Sequence, residues 1–517
     1  MKPEAYPEVT TGVEMVQTHV SWIFLTDTHA YKIKKPVDFG FLNFSTIDRR
    51  RFYCNEEVRL NRRLCPDMYE AVVELRESEA GFSFLGDGAI VDYAVRMKRL
   101  PAERMLNRLV DSGEVSPDDM RAVARIIAEF HRTAPTSPTI ADNGRIERIM
   151  FNWQENFEQS AKFSEAELGD QATLPDRDRE MIRAWVFSFA ARHGEFFQRR
   201  VDDGFIRECD GDIHLENICF EPDAINIFDC IEFNERFRYC DTAADIAFLL
   251  MDLDFHCRTD LAAALLDEYL TRTGDQGSAA LLDFYKLYRA FVRGKVESLL
   301  SADSGAPQET RETARHKAIC YFRLARGYVE RHRLPTALYL TCGLIGCGKS
   351  SLADHLGFEL GIPVFSSDIL RKRMAGLPET EPVPEPFARG LYAPDVTAQV
   401  YTALLHAADK ELADGRSIVV DASFSLKEQR NAFIRCARSH GVPCIVLHVQ
   451  CPEQEQRRRV NERQKRGSSP SDGRCEIIEQ HALRFEAPSP DETVVIQVDT
   501  TAPAHLLTNQ VYAALSP

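Results

Sequence analysis

The sequence predicts two domains, an α+β N-terminal domain over residues 1–334 and an α/β C-terminal domain over residues 335–517. A chain of 517 residues exceeds what one hydrophobic core usually spans. Its first strands precede a long helical stretch, whereas its last third alternates strands and helices. Alternation of that kind is typical of a mostly parallel sheet with helices on both faces.

The N-terminal domain is expected to begin with β-structure and to continue as helices. Runs rich in β-branched and aromatic residues predict strands, and apolar residues at helical spacing among charges predict a helix. The predicted elements are strands at residues 13–17, 22–26, 30–34 and 91–98, a helix at 48–64, a mainly helical region from about 118, a polar surface loop at 301–312 and a last helix at 313–332.

The C-terminal domain is expected to alternate between strands and helices. Apolar β-type runs are bounded by turn residues, and the segments between them have helical character. The predicted strands are residues 337–341, 362–365, 417–421, 443–449 and 493–498, and helices follow Lys349, start near Asp368 and cover 427–440.

Composition argues against several classes of function. Hydrophobic residues make up 44% and charged residues 27% of the chain, as in an ordinary globular protein. There is no run of about 18 apolar residues and no basic-then-apolar leader, which predicts a cytoplasmic protein without a membrane span. The net charge of −16 argues against non-specific nucleic-acid binding. The 14 cysteines lack paired CxxC spacing, so reduced thiols are expected even at the evenly spaced Cys209, Cys219, Cys230 and Cys240.

A glycine-rich segment of the C-terminal domain matches a phosphate-binding loop in full. Residues 343–350 read GLIGCGKS, the pattern GxxxxGK[ST], between a predicted strand and an amphipathic helix. Glycines let backbone N–H groups converge on phosphates, the helix N-terminus adds positive potential, and the lysine reaches the β- and γ-phosphate oxygens. The segment predicts an ATP site formed by Gly343, Gly346, Gly348, Lys349, Ser350 and Ser351, in which Ser350 also binds Mg²⁺.

Polar residues elsewhere in this domain complete a phosphoryl-transfer site. Asp421 ends a predicted apolar strand and is the expected Mg²⁺ partner. Asp368 follows the second strand, where it either deprotonates an acceptor hydroxyl or only caps a helix. Arg371, nearly one turn later, is expected to bind an anionic group of the acceptor. Arg459 and Arg463 share a helix face, either as a mobile arginine lid or as part of a solvated basic helix.

Together these motifs resemble the small P-loop kinases of the gluconate-kinase and polynucleotide-kinase 5′-hydroxyl type. The resemblance rests on GLIGCGKSS, SSDILR, VVDASF and the RxxxR near Ser471 and Asp472, and it covers residues 336–517. It implies transfer of a phosphoryl group from ATP to a hydroxyl, with Asp368 as base and arginine lid residues. It does not define which hydroxyl.

The N-terminal domain carries a second, unrelated phosphoryl-transfer pattern. In CDGDIHLEN, Asp212 and Asn217 have the D-x-x-x-x-N spacing in which the aspartate accepts the acceptor proton and the asparagine binds Mg²⁺. A strand that ends in Asp229 follows, where a second Mg²⁺ ligand is needed. This order predicts a catalytic loop and its metal site.

Two lysines upstream are candidates to hold the α- and β-phosphates. Strand alternation places Lys32 and Lys34 on one face, and Glu57 lies on the helix that follows. Either lysine is suited to pair with Glu57. The sequence leaves the choice between them open, with Lys32 favoured.

These residues resemble the aminoglycoside-phosphotransferase-like branch of the protein-kinase fold. Its signature is close to H-G-D-x-x-x-x-N followed by I-D-x-E, which corresponds here to DGDIHLEN and to Asp229 with Glu232. The resemblance implies that Asp212 is the catalytic base, that Asn217 and Asp229 hold magnesium, and that Asp245 supports the loop.

The whole chain resembles the bacterial proteins named bifunctional aminoglycoside phosphotransferase/ATP-binding protein. Asp210 stands where the family has a loop histidine, and no glycine-rich loop precedes the lysine strand, so residues 18–21 are expected to cover the phosphates. Asp241 follows soon after Asp229, which leaves little room for an activation loop and favours a small acceptor.

Arg289 and Arg293 lie on one face of a predicted helix. If that face lines the acceptor cleft, the acceptor is anionic or sugar-like rather than polycationic. An ordinary solvated helix face is the alternative.

The sequence thus predicts an α+β protein-kinase-like domain followed by an α/β P-loop kinase domain. We expect ATP and Mg²⁺ at two sites and a small-molecule hydroxyl acceptor at each. Two alternatives stay open: the P-loop domain phosphorylates a nucleic-acid 5′-hydroxyl end, which is less favoured, or one domain is a nucleotide-sensing pseudokinase that regulates the other. The sequence does not define the oligomeric state.

Overall fold

The chain folds into two compact units, Met1–Phe322 and Arg323–Pro517. In the computed structural model the described residues are 2–40, 42–79, 81–381, 383, 389–466, 471, 473–503 and 506–515. Among the helices in these ranges, none combines the length and the apolar character that a membrane crossing requires.

The N-terminal unit opens with an antiparallel sheet of six strands. They are β1 (Glu14–Gln17), β2 (Ser21–Leu25), β3 (His29–Lys34), β4 (Tyr69–Ser78), β5 (Gly81–Ser83) and β6 (Ala89–Lys98). Hydrogen bonding orders them β1-β2-β3-β6-β4-β5, so β3 lies inside the sheet. Two short antiparallel ladders follow, formed by β7 (Ile206–Glu208) with β10 (Tyr239–Asp241) and by β8 (Ile218–Glu221) with β9 (Ala224–Ile227).

Helices make up most of the remainder of this unit. They are α1 (Ile47–Asn61), α2 (Leu106–Asp111), α3 (Pro117–Thr133), α4 (Pro138–Ala141), α5 (Ile146–Ser160), α6 (Glu165–Leu168), α7 (Asp176–Asp202), α8 (Glu235–Arg238), α9 (Thr242–Phe255), α10 (Thr259–Thr273), α11 (Leu282–Ala302) and α12 (Gln308–Arg333), whose last residues belong to the C-terminal unit. Helix α9 is buried from Thr242 to Asp254 and packs against α10 and α11.

Both faces of the six-stranded sheet are covered by apolar side chains. On one face, Cys54 and Val58 of α1 pack against a cluster that includes Tyr69 and Val95. The other face is covered by the N-terminal segment and by aromatic rings, where Tyr31 stacks on Phe84 at 4.5 Å between ring centroids. The burial of most of β3 between these two clusters holds its lysines in fixed positions.

The C-terminal unit is a parallel sheet with helices on both faces, as predicted. Its strands are β11 (Leu338–Cys342), β12 (Val364–Ser366), β13 (Ile418–Asp421), β14 (Cys444–Gln450) and β15 (Val494–Asp499), in the order β12-β13-β11-β14-β15. Each described pairing is parallel. Its helices are α13 (Lys349–Leu360), α14 (Ser367–Met374), α15 (Pro394–Ala413), α16 (Lys427–Ser439), α17 (Glu453–Arg466), α18 (Ile478–Leu483) and α19 (Leu507–Leu515).

Two separate apolar clusters cover the two faces of this sheet. One cluster joins α13 and α19 to the strands through Leu352, Leu356 and Val511. The other joins α15 and α16 to the opposite face through Leu404 and Phe433. The near-continuous apolar sequence of β11, β13 and β14 follows from burial on both sides.

Along the sequence, the boundary between the two units lies inside α12, whereas the sequence predicts a boundary after residue 334. The last three turns of α12 pack with the C-terminal unit because its Arg323 and Arg326 bind the buried carboxylate of Glu359, with N–O distances of 2.6 Å and 2.5 Å. A side chain at Gly327 would also overlap the backbone carbonyl of Glu359.

Three elements differ from the sequence-based expectations. Strand β4 is absent from the prediction because alternating charges mask its apolar positions, although it pairs along its length with β6. Helix α15, twenty residues long, was likewise not predicted. The expected surface loop at 301–312 is shorter, since α11 ends at Ala302 and α12 begins at Gln308.

Candidate active sites

In the N-terminal unit, the two lysines of β3 share one buried glutamate. Lys32 Nζ lies 2.9 Å from Glu57 Oε1 and 2.5 Å from Asp229 Oδ1. Lys34 Nζ lies 2.6 Å from Glu57 Oε2 and also pairs with Glu232. Both contacts with Glu57 arise because alternate residues of a strand face the same way and α1 packs on that face.

The two lysines differ in what else they reach. Lys34 is 1% exposed and its partners are buried, so it holds the sheet to α1 and to the segment after β9. Lys32 is bound to Asp229, whose side chain is 43% exposed. Burial opposes ionisation of Glu57, but the charges of Lys32 and Lys34 outweigh it and lower its pKa to about 2.

Asp229 adopts a backbone conformation that is rare outside glycine, with φ of 65°. Its N–H donates to the Tyr69 hydroxyl at 3.3 Å, and its carboxylate accepts from Lys32. Conformational strain of this kind concentrates at functional sites. This backbone conformation directs the carboxylate of Asp229, the predicted magnesium ligand, toward Lys32, the lysine favoured for the phosphates.

Asp212 and Asn217 are brought together by the loop between β7 and β8. The Asn217 amide donates to both the backbone oxygen and the Oδ2 of Asp212, each at 3.1 Å. Asn217 Oδ1 accepts no hydrogen bond from the described part of the chain, so it suits a hard cation. Burial opposes ionisation of Asp212, but His214, whose Nε2 lies 3.6 Å from Oδ2, and the charges of Arg293 and Arg289 outweigh burial and lower its pKa.

Buried polar groups hold this loop from below. Asp245 on α9 accepts from the backbone N–H groups of Asp210 and Gly211, at 3.1 Å and 2.8 Å, and lies 3.1 Å from His131 Nε2. Arg289 donates to the Gly211 carbonyl at 2.8 Å. Gly211 has φ of 89°, and a Cβ there would lie 2.9 Å from the Phe237 carbonyl oxygen, so the loop requires glycine.

The structure places Arg289 of α11 differently from either sequence-based expectation and buries most of the Arg293 side chain. Arg289 is 7% exposed and holds the loop between β7 and β8, so it forms neither a solvated face nor an open acceptor surface. Arg293 is mostly buried, 3.6 Å from both Glu216 and Glu297 and over the Tyr321 ring. The helix face packs inward because α11 lies against the buried α9.

Asp210, which replaces the histidine of the related signature, is 1% exposed and accepts from the Asp212 N–H at 3.1 Å. Burial and the nearby charge of Asp245 raise its pKa well above the usual range. Because its folded-state pKa is higher than the unfolded one, the folded state gives up stability as pH rises above about 4.

We therefore expect Asp210→Asn to be about as stable as the wild type near pH 4 and more stable at pH 8, with a stability gap that widens as the pH rises. Asparagine keeps an oxygen for the Asp212 N–H and has no proton to lose. Thermal unfolding of the N-terminal unit in the full chain, between pH 4 and pH 8, measures this, with the exposed Asp223→Asn as control. A stability gap that shrinks as pH rises contradicts it.

In the C-terminal unit, a glycine-rich turn joins β11 to α13. Gly343, Gly346 and Gly348 all have positive φ, of 151°, 77° and 93°. A Cβ at Gly343 would overlap the Val449 carbonyl oxygen, and one at Gly346 would lie 2.9 Å from the Gln456 carbonyl oxygen. Neighbouring backbone thus leaves room for glycine alone at these two positions.

Ser350 and Asp421 meet at the carboxyl edge of the sheet. Ser350 Oγ donates to Asp421 Oδ2 at 2.7 Å, and Thr341 Oγ1 donates to Asp421 Oδ1 at 2.8 Å. Strands β11 and β13 pair in parallel with Thr341 opposite Asp421, which fixes this arrangement. A hydroxyl and a carboxylate beside a phosphate-binding turn are suitable donors for Mg²⁺. Lys349 Nζ donates to the Leu344 carbonyl at 2.8 Å and so lies over the turn.

Two further carboxyls lie close to Asp421. Asp368 is in the first turn of α14, whose N-cap is Ser366, so it is not the helix cap. Burial and the charge of Asp421 raise the pKa of Asp368. The same two causes raise the pKa of Asp354, on α13, to about 6. Asp354 was not singled out in the sequence.

The two predicted lid arginines point toward the phosphate-binding turn. Arg459 donates to the Thr500 hydroxyl at 3.0 Å, and that hydroxyl donates to the Cys347 carbonyl at 2.6 Å. Arg463 donates at 3.0 Å to the carbonyl of Gly473, where a Cβ would lie 2.5 Å from Ile345. Only part of α17 matches the alternative of a solvated basic helix. In that part, Arg457 and Arg458 pair with exposed glutamates. Asp472, near the predicted RxxxR, lies outside the described residues.

Arg371 is 5% exposed and is held by the segment before and at the start of α15. It donates to the Leu391 carbonyl at 2.6 Å and to the Thr397 hydroxyl at 3.3 Å, and it lies over the Tyr392 ring. Its guanidinium therefore anchors this segment in the structure, beside Asp368.

Comparison with known proteins finds a family match in the C-terminal unit. Residues 338–488 match the family model described as "AAA domain". The C-terminal unit contains a P-loop domain. A gluconokinase from Sinorhizobium meliloti is similar to this chain at 19% sequence identity, in an alignment that covers 35% of this chain and 93% of that chain with a TM-score of 0.27.

Two further similarities extend beyond the P-loop unit. A protein of Mycobacterium tuberculosis described as uncharacterized is 29% identical over 426 residues, which is 82% of this chain and 80% of that protein. A choline/ethanolamine kinase family protein from Mesorhizobium loti covers 63% of this chain and 96% of its own, at 12% identity and a TM-score of 0.36.

Several residues around these sites have no recognisable sequence signal. Thr341 binds Asp421 only because two distant strands are neighbours, and Thr500 reaches the turn from the end of β15. His481 pairs with the Ser425 hydroxyl at 2.6 Å, and burial and the charge of Lys349 lower its pKa to about 4. Each of these contacts joins segments that are far apart in sequence.

Proposed function

We propose that the chain is a bifunctional ATP-dependent phosphotransferase. Each unit has one ATP·Mg²⁺ site and transfers the γ-phosphoryl group to a hydroxyl of a small acceptor. The observation that carries the proposal is the convergence, from three separate segments of the N-terminal unit, of Lys32 with Glu57 and Asp229, together with the contact of Asp212 with Asn217 inside one loop. The P-loop of the other unit supplies the second site.

In the N-terminal unit, Lys32 is assigned to the α- and β-phosphates and Glu57 holds it there. Asn217 and Asp229 are assigned as the magnesium ligands because both offer side-chain oxygens. Asn217 Oδ1 accepts no described hydrogen bond, and the Asp229 carboxylate is open to solvent. Asp212 accepts the proton of the acceptor hydroxyl, a role that its lowered pKa permits at neutral pH.

In the P-loop unit, the turn and Lys349 bind the β- and γ-phosphates, while Ser350 and Asp421 hold magnesium. Magnesium, when bound, neutralises charge on the phosphate oxygens. Asp368 is assigned as base because it is partly buried beside this centre, and its raised pKa brings it closer to the operating pH. Arg459 and Arg463 supply positive charge next to the turn.

The acceptors are proposed to be small, sugar-like or anionic molecules. In the N-terminal unit, the segment from Asp229 to α9 contains only the short α8 and β10, which leaves no extended platform for a peptide. Arg293 places a cation near Asp212, with Glu216 as one of its partners. Arg289 is excluded from direct acceptor binding because it is committed to the loop backbone.

An ADP-release screen of the full chain with Mg²⁺·ATP tests the proposal. We expect stimulation by at least one member of a panel of sugars, polyols and nucleosides, and weaker or no stimulation by aminoglycosides. A hydroxyl-terminated oligonucleotide is tested in parallel by end-labelling. Labelling without small-molecule turnover would assign the P-loop unit to nucleic-acid ends, and ATP binding without any turnover would support a nucleotide-sensing role instead.

A further inference from the structure

Three side chains of metal-binding type meet between α15 and α16, outside both candidate active sites. Asp409 Oδ1 lies 2.8 Å from His440 Nε2 and 3.8 Å from Cys436 Sγ. All three ligand atoms lie within 4.8 Å of one another. The cluster is partly exposed, so an ion in solution has access to it.

The spacing of these residues presents them on facing sides of two packed helices. Cys436 and His440 are four residues apart at the end of α16, and therefore share one side of it. Asp409 lies on α15, and the exposed His406 is one turn before it on the same helix. The contact of α15 with α16 brings the two pairs together.

The cluster lies at the edge of the sheet away from the phosphate-binding turn. Helix α16 ends shortly before β14 begins at Cys444, and so runs back to the amino ends of the strands. The P-loop and Asp421 lie at the carboxyl ends. No residue of the cluster has a role in the proposed phosphoryl transfer.

A second group of similar composition in the N-terminal unit provides a contrast. His131, Cys209 and Asp245 are also close together but fully buried. There, Asp245 accepts two backbone N–H groups and the His131 ring bonds both Tyr269 and Asp245. That group is explained by its support of the catalytic loop. The described contacts of Asp409, in contrast, are with the other members of its own cluster.

We propose that Asp409, Cys436 and His440 form a zinc site that ties α15 to α16, with His406 or a water molecule as the fourth ligand. Thiolate, imidazole and carboxylate are the ligands of tetrahedral zinc, whereas Mg²⁺ prefers oxygen alone. Bonds of about 2.0–2.3 Å place tetrahedral ligand atoms roughly 3.3–3.8 Å apart. The Cys436–Asp409 distance fits, and the His440–Asp409 pair opens when the ion replaces the proton between them, which moves to Nδ1 of the His440 ring or to solvent. Binding releases the Cys436 thiol proton to solvent.

Titration of the metal-free full chain with Co²⁺ and then Zn²⁺ tests the site. We expect a thiolate-to-cobalt charge-transfer band and tetrahedral visible bands at one equivalent, both displaced by Zn²⁺. Cys436→Ser removes the charge-transfer band, and Asp409→Asn or His440→Gln weakens Zn²⁺ binding by at least about tenfold. Zn²⁺ also raises the unfolding temperature of the wild-type P-loop unit. Mg²⁺ at the same concentration as Zn²⁺ does not displace Co²⁺ from the site.

The matched control is Cys320→Ser on α12. Cys320 and His316 are four residues apart, as are Cys436 and His440, and their Sγ and Nε2 atoms are 3.8 Å apart. This variant is expected to keep the band. Asp409 is exposed, so its variant reports on binding even if Cys436→Ser reduces stability. A wild-type chain without a stoichiometric charge-transfer band, or a band that survives Cys436→Ser, overturns the proposal.

Discussion

Lys349→Ala is expected to lower phosphoryl transfer by the P-loop unit by at least about 100-fold. Lys349 begins α13 and lies over the turn formed by Gly343, Gly346 and Gly348. Its ammonium group is suited to neutralise charge on the β- and γ-phosphate oxygens during transfer. Acceptor-stimulated ADP release, measured for each acceptor separately, gives the size of the loss.

The variant should leave the other unit unchanged, since the two sites use different residues. Lys410→Ala, which removes an exposed lysine from α15, is the matched control and should retain full activity. If Lys349→Ala retains every acceptor-stimulated reaction of the wild type at saturating ATP, the P-loop unit is not a phosphotransferase.

Asp212→Ala is expected to lower transfer by the N-terminal unit by about 10²- to 10⁴-fold, the usual contribution of a general base. It also removes one of the two acceptors that hold the Asn217 amide and leaves only the backbone oxygen of residue 212, so the orientation of the proposed metal ligand is less fixed. Asp212→Asn separates the two effects, because asparagine can still accept from Asn217 but cannot take a proton. Its turnover should fall similarly, with a smaller change in the KM for ATP.

The exposed Asp223→Asn, in the turn between β8 and β9, serves as control for the loss of one carboxylate from the same region. Turnover by Asp212→Asn within about threefold of the wild type would be too small a loss for removal of a general base. Such a result would leave the N-terminal unit a nucleotide-binding module at most.

The two variants together test why the units occur in one chain. If one acceptor is phosphorylated twice, tethering raises the effective concentration of the intermediate at the second site. Each single variant then accumulates a different singly phosphorylated product. If each variant lowers the phosphorylation of a different acceptor and leaves the other unchanged, the two reactions are independent.

Much of the P-loop unit could be read directly from the sequence. The spacing of Gly343, Gly346, Gly348 and Lys349 is a local property of one turn, and the strand–helix alternation around it predicted the parallel sheet. The partner of Ser350 was also anticipated, because an apolar strand that ends in Asp421 places its carboxylate at the same edge. The match to a family model over residues 338–488 supports this part.

The arginines show where sequence patterns were insufficient. The sequence left Arg289 open between an acceptor-facing and a solvated helix face and predicted that Arg371 binds the acceptor, yet Arg289 binds the loop carbonyl of Gly211, and Arg371 binds the Leu391 carbonyl. A guanidinium on a helix looks the same in sequence whether it meets solvent, a substrate or a buried backbone oxygen. Which of these it meets depends on neighbours that are remote along the chain.

By itself, the sequence predicted two domains, a phosphate-binding turn, and the carboxylate, amide and lysine side chains of two candidate sites. The tertiary structure alone decided that Lys32 reaches Asp229 while Lys34 is buried against Glu232, and that Asp210 lies near Asp245. Local spacing encodes turns and strand faces, whereas burial and the charges that surround a group depend on long-range packing, which determines both its partners and its pKa.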